Sequence, residues 1–251
     1  MQEFFKSVFV GFLTGILVGI VYLLLAGAVK ASELDQLQQQ VINPVVQLDR
    51  DCSGVAIKTD IPETTYIVTA LHCKGDKSGF VNIDVKERQK VISVTNVVYD
   101  VVRVDPKQDI MLVKTRQKLN VDLATIAHTD PREGEKVFAV GYPLGWTRTI
   151  TEGYVGGYES IDAALSGFNQ FGNERALLRA TAPITGGNSG GGLFIKNGDN
   201  YELVGITDAG VNSFPQAALF VTQDAIRELV DGALKYEKSN LKVEEDKRSQ
   251  K

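Results

Sequence analysis

Histidine, cysteine and methionine are nearly absent from this chain. Its 251 residues contain two of each and a single tryptophan. Cys52, His72, Cys73 and His128 do not stand at the spacing of a zinc finger. No Gly-x-x-x-x-Gly-Lys-Ser/Thr run is present, which excludes a phosphate loop. There is no internal repeat. A net charge of −4 gives no footing for nucleic-acid binding. Charge of either sign is missing from Ser7 to Val29. That stretch is long enough to cross a bilayer as a helix, which takes about 20 residues.

Two readings of this uncharged stretch compete. One is a retained membrane anchor. The other is a cleavable signal peptide, with Val29-Lys30-Ala31 as the cleavage site. The stretch exceeds the usual signal-peptide core, which favours the anchor. Lys6 and Lys30 flank it almost evenly, so the positive-inside rule does not orient it. Gly11, Gly15 and Gly19 recur every fourth residue and share one helix face, a pattern that lets two helices approach and self-associate. Ser32 to Val41 is polar, with Leu34, Leu37 and Val41 at helical spacing, and reads as a short linker helix stopped before Pro44.

The chain as a whole is 43% hydrophobic and 23% charged, which fits one globular domain plus appendages. From Val45 onward the pattern becomes short strands. They are expected at 53–58, 65–70, 80–85, 90–104 and 110–114, then, after a polar stretch from Gln117 to Glu135, at 136–141, 148–158, 176–181, 192–195, 202–206 and 218–221. Many short strands between turn residues indicate a sandwich or a barrel, and periodicity does not choose between them. Thr222 can cap a final helix whose Ile226, Leu229, Val230, Ala233 and Leu234 form an apolar face directed at the second set of strands. Ser239 to Lys251 is charge-rich and is expected to be disordered.

Gly186-Gly187-Asn188-Ser189-Gly190-Gly191 places a serine in a glycine-rich turn. Glycines let the backbone fold tightly and turn amide N–H groups toward an oxyanion. A nucleophilic serine also needs a histidine base and a carboxylate that orients it. His72 closes the β-branched run Tyr66-Ile67-Val68-Thr69-Ala70-Leu71. Asp109 opens the apolar run Ile110-Met111-Leu112-Val113. His128 lies in a polar linker and reads as a surface residue. No histidine follows Ser189, which excludes the α/β-hydrolase order.

The order His72, Asp109, Ser189 resembles that of the chymotrypsin-type hydrolases. Thr69-Ala70-Leu71-His72-Cys73, the strand after Asp109 and the glycine-flanked Ser189 resemble that family's three motifs, over roughly Val45 to Tyr236. The resemblance implies two six-stranded antiparallel β-barrels, a C-terminal helix and an active site in the cleft between them. With the N-terminal transmembrane helix, this gives an expected division into anchor or signal peptide (1–31), linker (32–44), peptidase domain (45–236) and charged tail (237–251). It implies a serine endopeptidase, with backbone N–H groups of Gly187 and Ser189 as the oxyanion hole. No metal or organic cofactor is required. A polypeptide is the implied substrate. The competing reading is a catalytically silent module of the same fold that binds peptides or acts as a membrane scaffold.

Asn188 stands where activatable members carry an aspartate. The Asn-Ser-Gly-Gly sequence resembles the HtrA/Deg branch instead. Ala139-Val140-Gly141-Tyr142-Pro143-Leu144-Gly145 and Leu203-Val204-Gly205-Ile206 agree with that branch. Gly192 replaces its usual proline, and the chain leaves no room for the PDZ domain that commonly follows. Cys52 and Cys73 close two adjacent expected strands. The family often has a disulfide there, worth about 3 kcal/mol in the chain-entropy model and implying a periplasmic or extracellular location. Two free thiols, or a metal site using His72, are the alternatives. Family resemblance also places Pro183, Ile206 and Ala218 at an apolar specificity pocket, with Asp208 at its rim.

Overall fold

The computed structural model describes residues 2–61, 63–74, 78–87, 90–160, 176–211 and 216–249; the side chains of 2–19, 78, 83–87, 90–95, 160 and 240–249 fall outside the description. The chain divides into an N-terminal unit, 1–38, and a main unit, 39–251.

The N-terminal unit is helix α1 (Gln2–Leu37), which continues into a π-helical turn over Gln38–Ile42. The separate linker helix expected from 32 is therefore the end of one continuous helix. Tyr22, Leu23, Leu24 and Leu25 on it are 61–71% exposed. Among the described residues no helix is long and apolar enough to cross a membrane. Most of the proposed anchor, including Gly11, Gly15 and Gly19, lies outside the described side chains.

Among its described residues the main unit has twelve strands: β1 (Val45–Leu48), β2 (Cys52–Ile57), β3 (Tyr66–Ala70), β4 (Ser78–Glu87), β5 (Lys90–Asp105), β6 (Ile110–Thr115), β7 (Lys136–Gly141), β8 (Thr149–Ser160), β9 (Ala176–Ala180), β10 (Gly192–Asn197), β11 (Asn200–Gly210) and β12 (Ala218–Thr222). They close into two barrels, β1-β2-β3-β6-β5-β4 and β10-β11-β12-β9-β8-β7. The pairings are antiparallel. Strand β3 illustrates why: Tyr-Ile-Val-Thr-Ala is β-branched or aromatic in four of five positions, and all five residues are buried.

Each barrel encloses its own core. Val46, Ile67, Val81, Met111 and Val113 fill the first. Val137, Leu178, Leu193, Val204 and Phe220 fill the second. Full burial of such side chains contributes roughly 1.5–3 kcal/mol each. The connecting segment is stitched to both. Lys58 N–H donates to the Ala124 carbonyl and Ala124 N–H to the Ala56 carbonyl, both 2.8 Å, while Ala127 N–H reaches the Leu203 carbonyl at 2.9 Å.

Helix α2 (Gln223–Ser249) completes the unit. Ile226, Leu229, Val230 and Ala233 are buried on it, as their spacing predicts. Two expectations are corrected here. The helix packs on β5 and β6 of the first barrel as well as on β11 and β12 of the second. The charge-rich stretch from Ser239, read as a disordered tail, is helical through Ser249.

Candidate active site

Strand β3 ends in a single 3-10 turn, Leu71–Cys73, that carries His72 out of the sheet. Asp109 sits in the tight turn before β6 with φ +55°, a left-handed conformation that aspartate tolerates better than most residues. The two segments are locked in register, because Leu71 N–H donates to the Asp109 carbonyl at 2.8 Å. Asp109 then holds His72 twice. Its Oδ1 accepts the His72 backbone N–H at 3.0 Å, and its Oδ2 lies 2.5 Å from His72 Nδ1. Asp109 is 2% exposed, whereas the His72 side chain is 36% exposed. A buried carboxylate thus fixes a ring that reaches the surface.

The nucleophile loop is fitted against the first barrel. The Ser189 carbonyl accepts the Ser53 N–H at 2.8 Å. It also lies 3.6 Å from Cys73 Sγ, a packing contact, since that sulfur is bonded to Cys52. Gly187 has φ +92°, and a Cβ there would meet the Tyr142 carbonyl at 2.4 Å. Gly190 has φ +81°, and a Cβ there would fall 2.1 Å from Thr69 Oγ1. Neither position accepts a side chain. Asn188 N–H is spent on the Thr185 carbonyl at 3.1 Å. Among the described residues no backbone carbonyl takes the N–H of Gly187 or of Ser189. Asn188 is buried and packs over Gly141, so the loop is seated without the ion pair of activatable relatives. Gly192 is explained in the same way: a side chain there would run into the Phe194 ring and Val55.

Ser53 was not legible as a site residue. It is fully buried at the start of β2. Its hydroxyl donates to the Gly187 carbonyl at 2.8 Å and accepts the Tyr142 N–H at 2.9 Å, and its carbonyl accepts the Thr69 hydroxyl at 2.7 Å. One serine therefore ties the nucleophile loop, the Gly-Tyr-Pro turn and β3 together. A serine two residues before a valine carries no sequence signal of that role.

Beside Ser189 opens a cavity of about 290 Å³, lined by Ile184, Thr185, Gly186, Thr207, Asp208, Ala209, Gly210, Val211 and Ala217. Of the four expected pocket residues only Asp208 belongs to it. Ile206 and Ala218 are buried in the second barrel, and Pro183 is exposed with its carbonyl accepting the Thr151 hydroxyl at 2.8 Å. Asp208 is itself buried. Its carboxylate, that of Asp109 and the His72 ring nitrogen lie within 4.8 Å of one another. Within this cluster His72 Nδ1 is engaged by Asp109. His128 is exposed, as expected. Cys52 and Cys73 form a disulfide with Cα atoms 6.0 Å apart, which closes the question of free thiols.

The comparisons with known proteins agree with this geometry. The chain is 31% identical over 158 residues to the periplasmic serine endoprotease DegP of Escherichia coli, covering 62% of the chain and 29% of DegP. It is 33% identical over 115 residues to the serine protease PepD of Mycobacterium tuberculosis, covering 44% of the chain and 24% of PepD. The chain thus spans under a third of the length of these relatives. The crystal structure of a serine endoprotease from Yersinia pestis superposes with a TM-score of 0.60 at 19% identity, over 80% of this chain and 66% of that one, a likeness of fold. Residues 52–206 match the model of the trypsin-like peptidase domain, and they hold β2 through most of β11 with His72, Asp109 and Ser189 inside them: the chain belongs to the trypsin-like peptidase family.

Proposed function

We propose that the protein is a serine endopeptidase with His72, Asp109 and Ser189 as its triad. The observation that carries this reading is the double hold of buried Asp109 on His72 beside a glycine-flanked serine. Ser189 Oγ attacks a peptide carbonyl while His72 takes its proton. Asp109 keeps the imidazole in the right tautomer and stabilises its cation. The N–H groups of Gly187 and Ser189 receive the oxyanion, and one such donor is typically worth about 3 kcal/mol. The proton returns through His72 to the leaving amine.

The pocket favours small or medium apolar side chains before the scissile bond, because Ile184, Ala209, Val211 and Ala217 supply its walls. Helix α1 anchors the enzyme to a membrane, with the peptidase domain in the periplasm or outside the cell. This is supported by the exposed apolar side chains of residues 20–25 and by the disulfide. Self-association through Gly11, Gly15 and Gly19 rests on the sequence pattern alone.

Labelling with a fluorophosphonate probe tests the activity. Wild type is labelled, and Ser189→Ala and His72→Ala are not, with turnover falling on the order of 10⁴ or more. A correctly folded wild type that refuses the probe would favour the silent peptide-binding module.

A further inference from the structure

Strand β11 carries a β-bulge beside the site. Thr207 pairs with Phe220 and Ala209 with Leu219, so Asp208 is the extra residue between two regular pairs. A bulge re-aims the inserted side chain relative to the sheet. Here it brings the carboxylate of Asp208, a residue only 7% exposed, to within 4.8 Å of both Asp109 and the His72 ring. The titratable groups that the structure places against Asp208 are His72, from the turn after β3, and Asp109, from the turn before β6. Across the bulge β12 presents Leu219 and Phe220. The nucleophile loop brings Thr185 and Ser189, which line the same cavity.

We infer that Asp208 is a positioning residue for the catalytic base: a second buried carboxylate that, with Asp109, stabilises the His72 imidazolium. The inference rests on the proposed triad. An opposite charge within about 4–6 Å favours the charged form of a histidine. When His72 accepts the Ser189 proton, the new positive charge forms next to two acids rather than one. With His72 neutral, two buried carboxylates this close repel each other, so the cluster retains a proton more tenaciously than a lone Asp–His pair does. The protons of Asp208 and His72 are therefore coupled, and the apparent values belong to the cluster. The result is a stronger base that works at higher pH.

The test exploits the scarcity of histidine. The two imidazoles can be assigned in a proton NMR titration by comparison with His128→Gln. His72 is titrated in wild type, Asp208→Asn and Asp208→Ser. Both substitutions lower the pH at which the His72 ring loses its proton, by about one pH unit or more. The acid limb of kcat/KM moves down with it. An unchanged His72 titration in both folded variants overturns the inference, even if turnover falls. A lowered titration in a protein that never reacts with the fluorophosphonate would keep the inference and sink the peptidase reading.

Discussion

Ile184, Thr207 and Ala217 line the pocket, and each stands one position from an expected residue: Pro183, Ile206 and Ala218. Ile206 and Ala218 are buried in the second barrel, and Pro183 is exposed. Family resemblance located the segments and missed the facing. Ile184, Ala209, Val211 and Ala217 give the pocket apolar walls beside the polar Thr185, Thr207 and Asp208, and the proposed preference rests on those walls. Each methylene buried there gains roughly 0.8 kcal/mol, and an unpaired charge costs more. Profiling on a peptide library is expected to give cleavage after Val, Ala, Leu or Ile. Dominant cleavage after Arg or Lys would show that Asp208 serves substrate side chains. His72 and Asp109 are legible because one closes and the other opens a β-branched or apolar run, and Ser189 because glycines flank it. Ser53 and the setting of Asp208 were not. One acts through hydrogen bonds to segments distant in sequence, and the other through a bulge that leaves no compositional trace.

Eleven of the twelve strands have their expected positions within a few residues. Strand β1 was missed. It has four residues, all buried, so it lacks the alternation that identifies a half-exposed strand. Helix α2 was cut short for the opposite reason, since a charged, apolar-poor stretch reads as solvent-loving chain. Its middle is held by side chains of the first barrel. Glu237 accepts from the Tyr66 hydroxyl and pairs with Lys114 at 2.5 Å, and Lys238 pairs with Asp60. Burial and the neighbouring Glu237 push the Tyr66 hydroxyl well above the usual tyrosine range. An unfolded tyrosine ionises near pH ~10. The stability Tyr66 contributes is thus fully present below that pH and is lost as the pH rises toward its folded value. Tyr66→Phe is expected to lower stability at neutral pH by about 1 kcal/mol. Urea unfolding then shows a smaller loss for the variant than for wild type between neutral pH and about pH 11. An equal loss in both would remove Tyr66 from the alkaline response.

For the molecule as a whole, the disulfide and the two-barrel division matter most. The bridge joins the start of β2 to the residue after His72, across 21 positions. Replacing both cysteines by alanine is expected to cost about 3 kcal/mol of stability. Native protein should take up no thiol reagent until it is reduced, which intact mass measures directly. Two alkylated cysteines in unreduced protein would remove the main support for an oxidising compartment.

The site itself is divided. His72, Asp109 and Ser53 belong to the first barrel, and Ser189 and Asp208 to the second. Helix α2, formed after the last strand, rests on both barrels through β5, β6, β11 and β12. Synthesis from the N-terminus releases the barrel holding His72 long before the barrel holding Ser189, and the helix that rests on both last of all. On the proposed mechanism, a nascent chain carries an imidazole with nothing to deprotonate, and it stays unable to cut itself or its neighbours while it is being made.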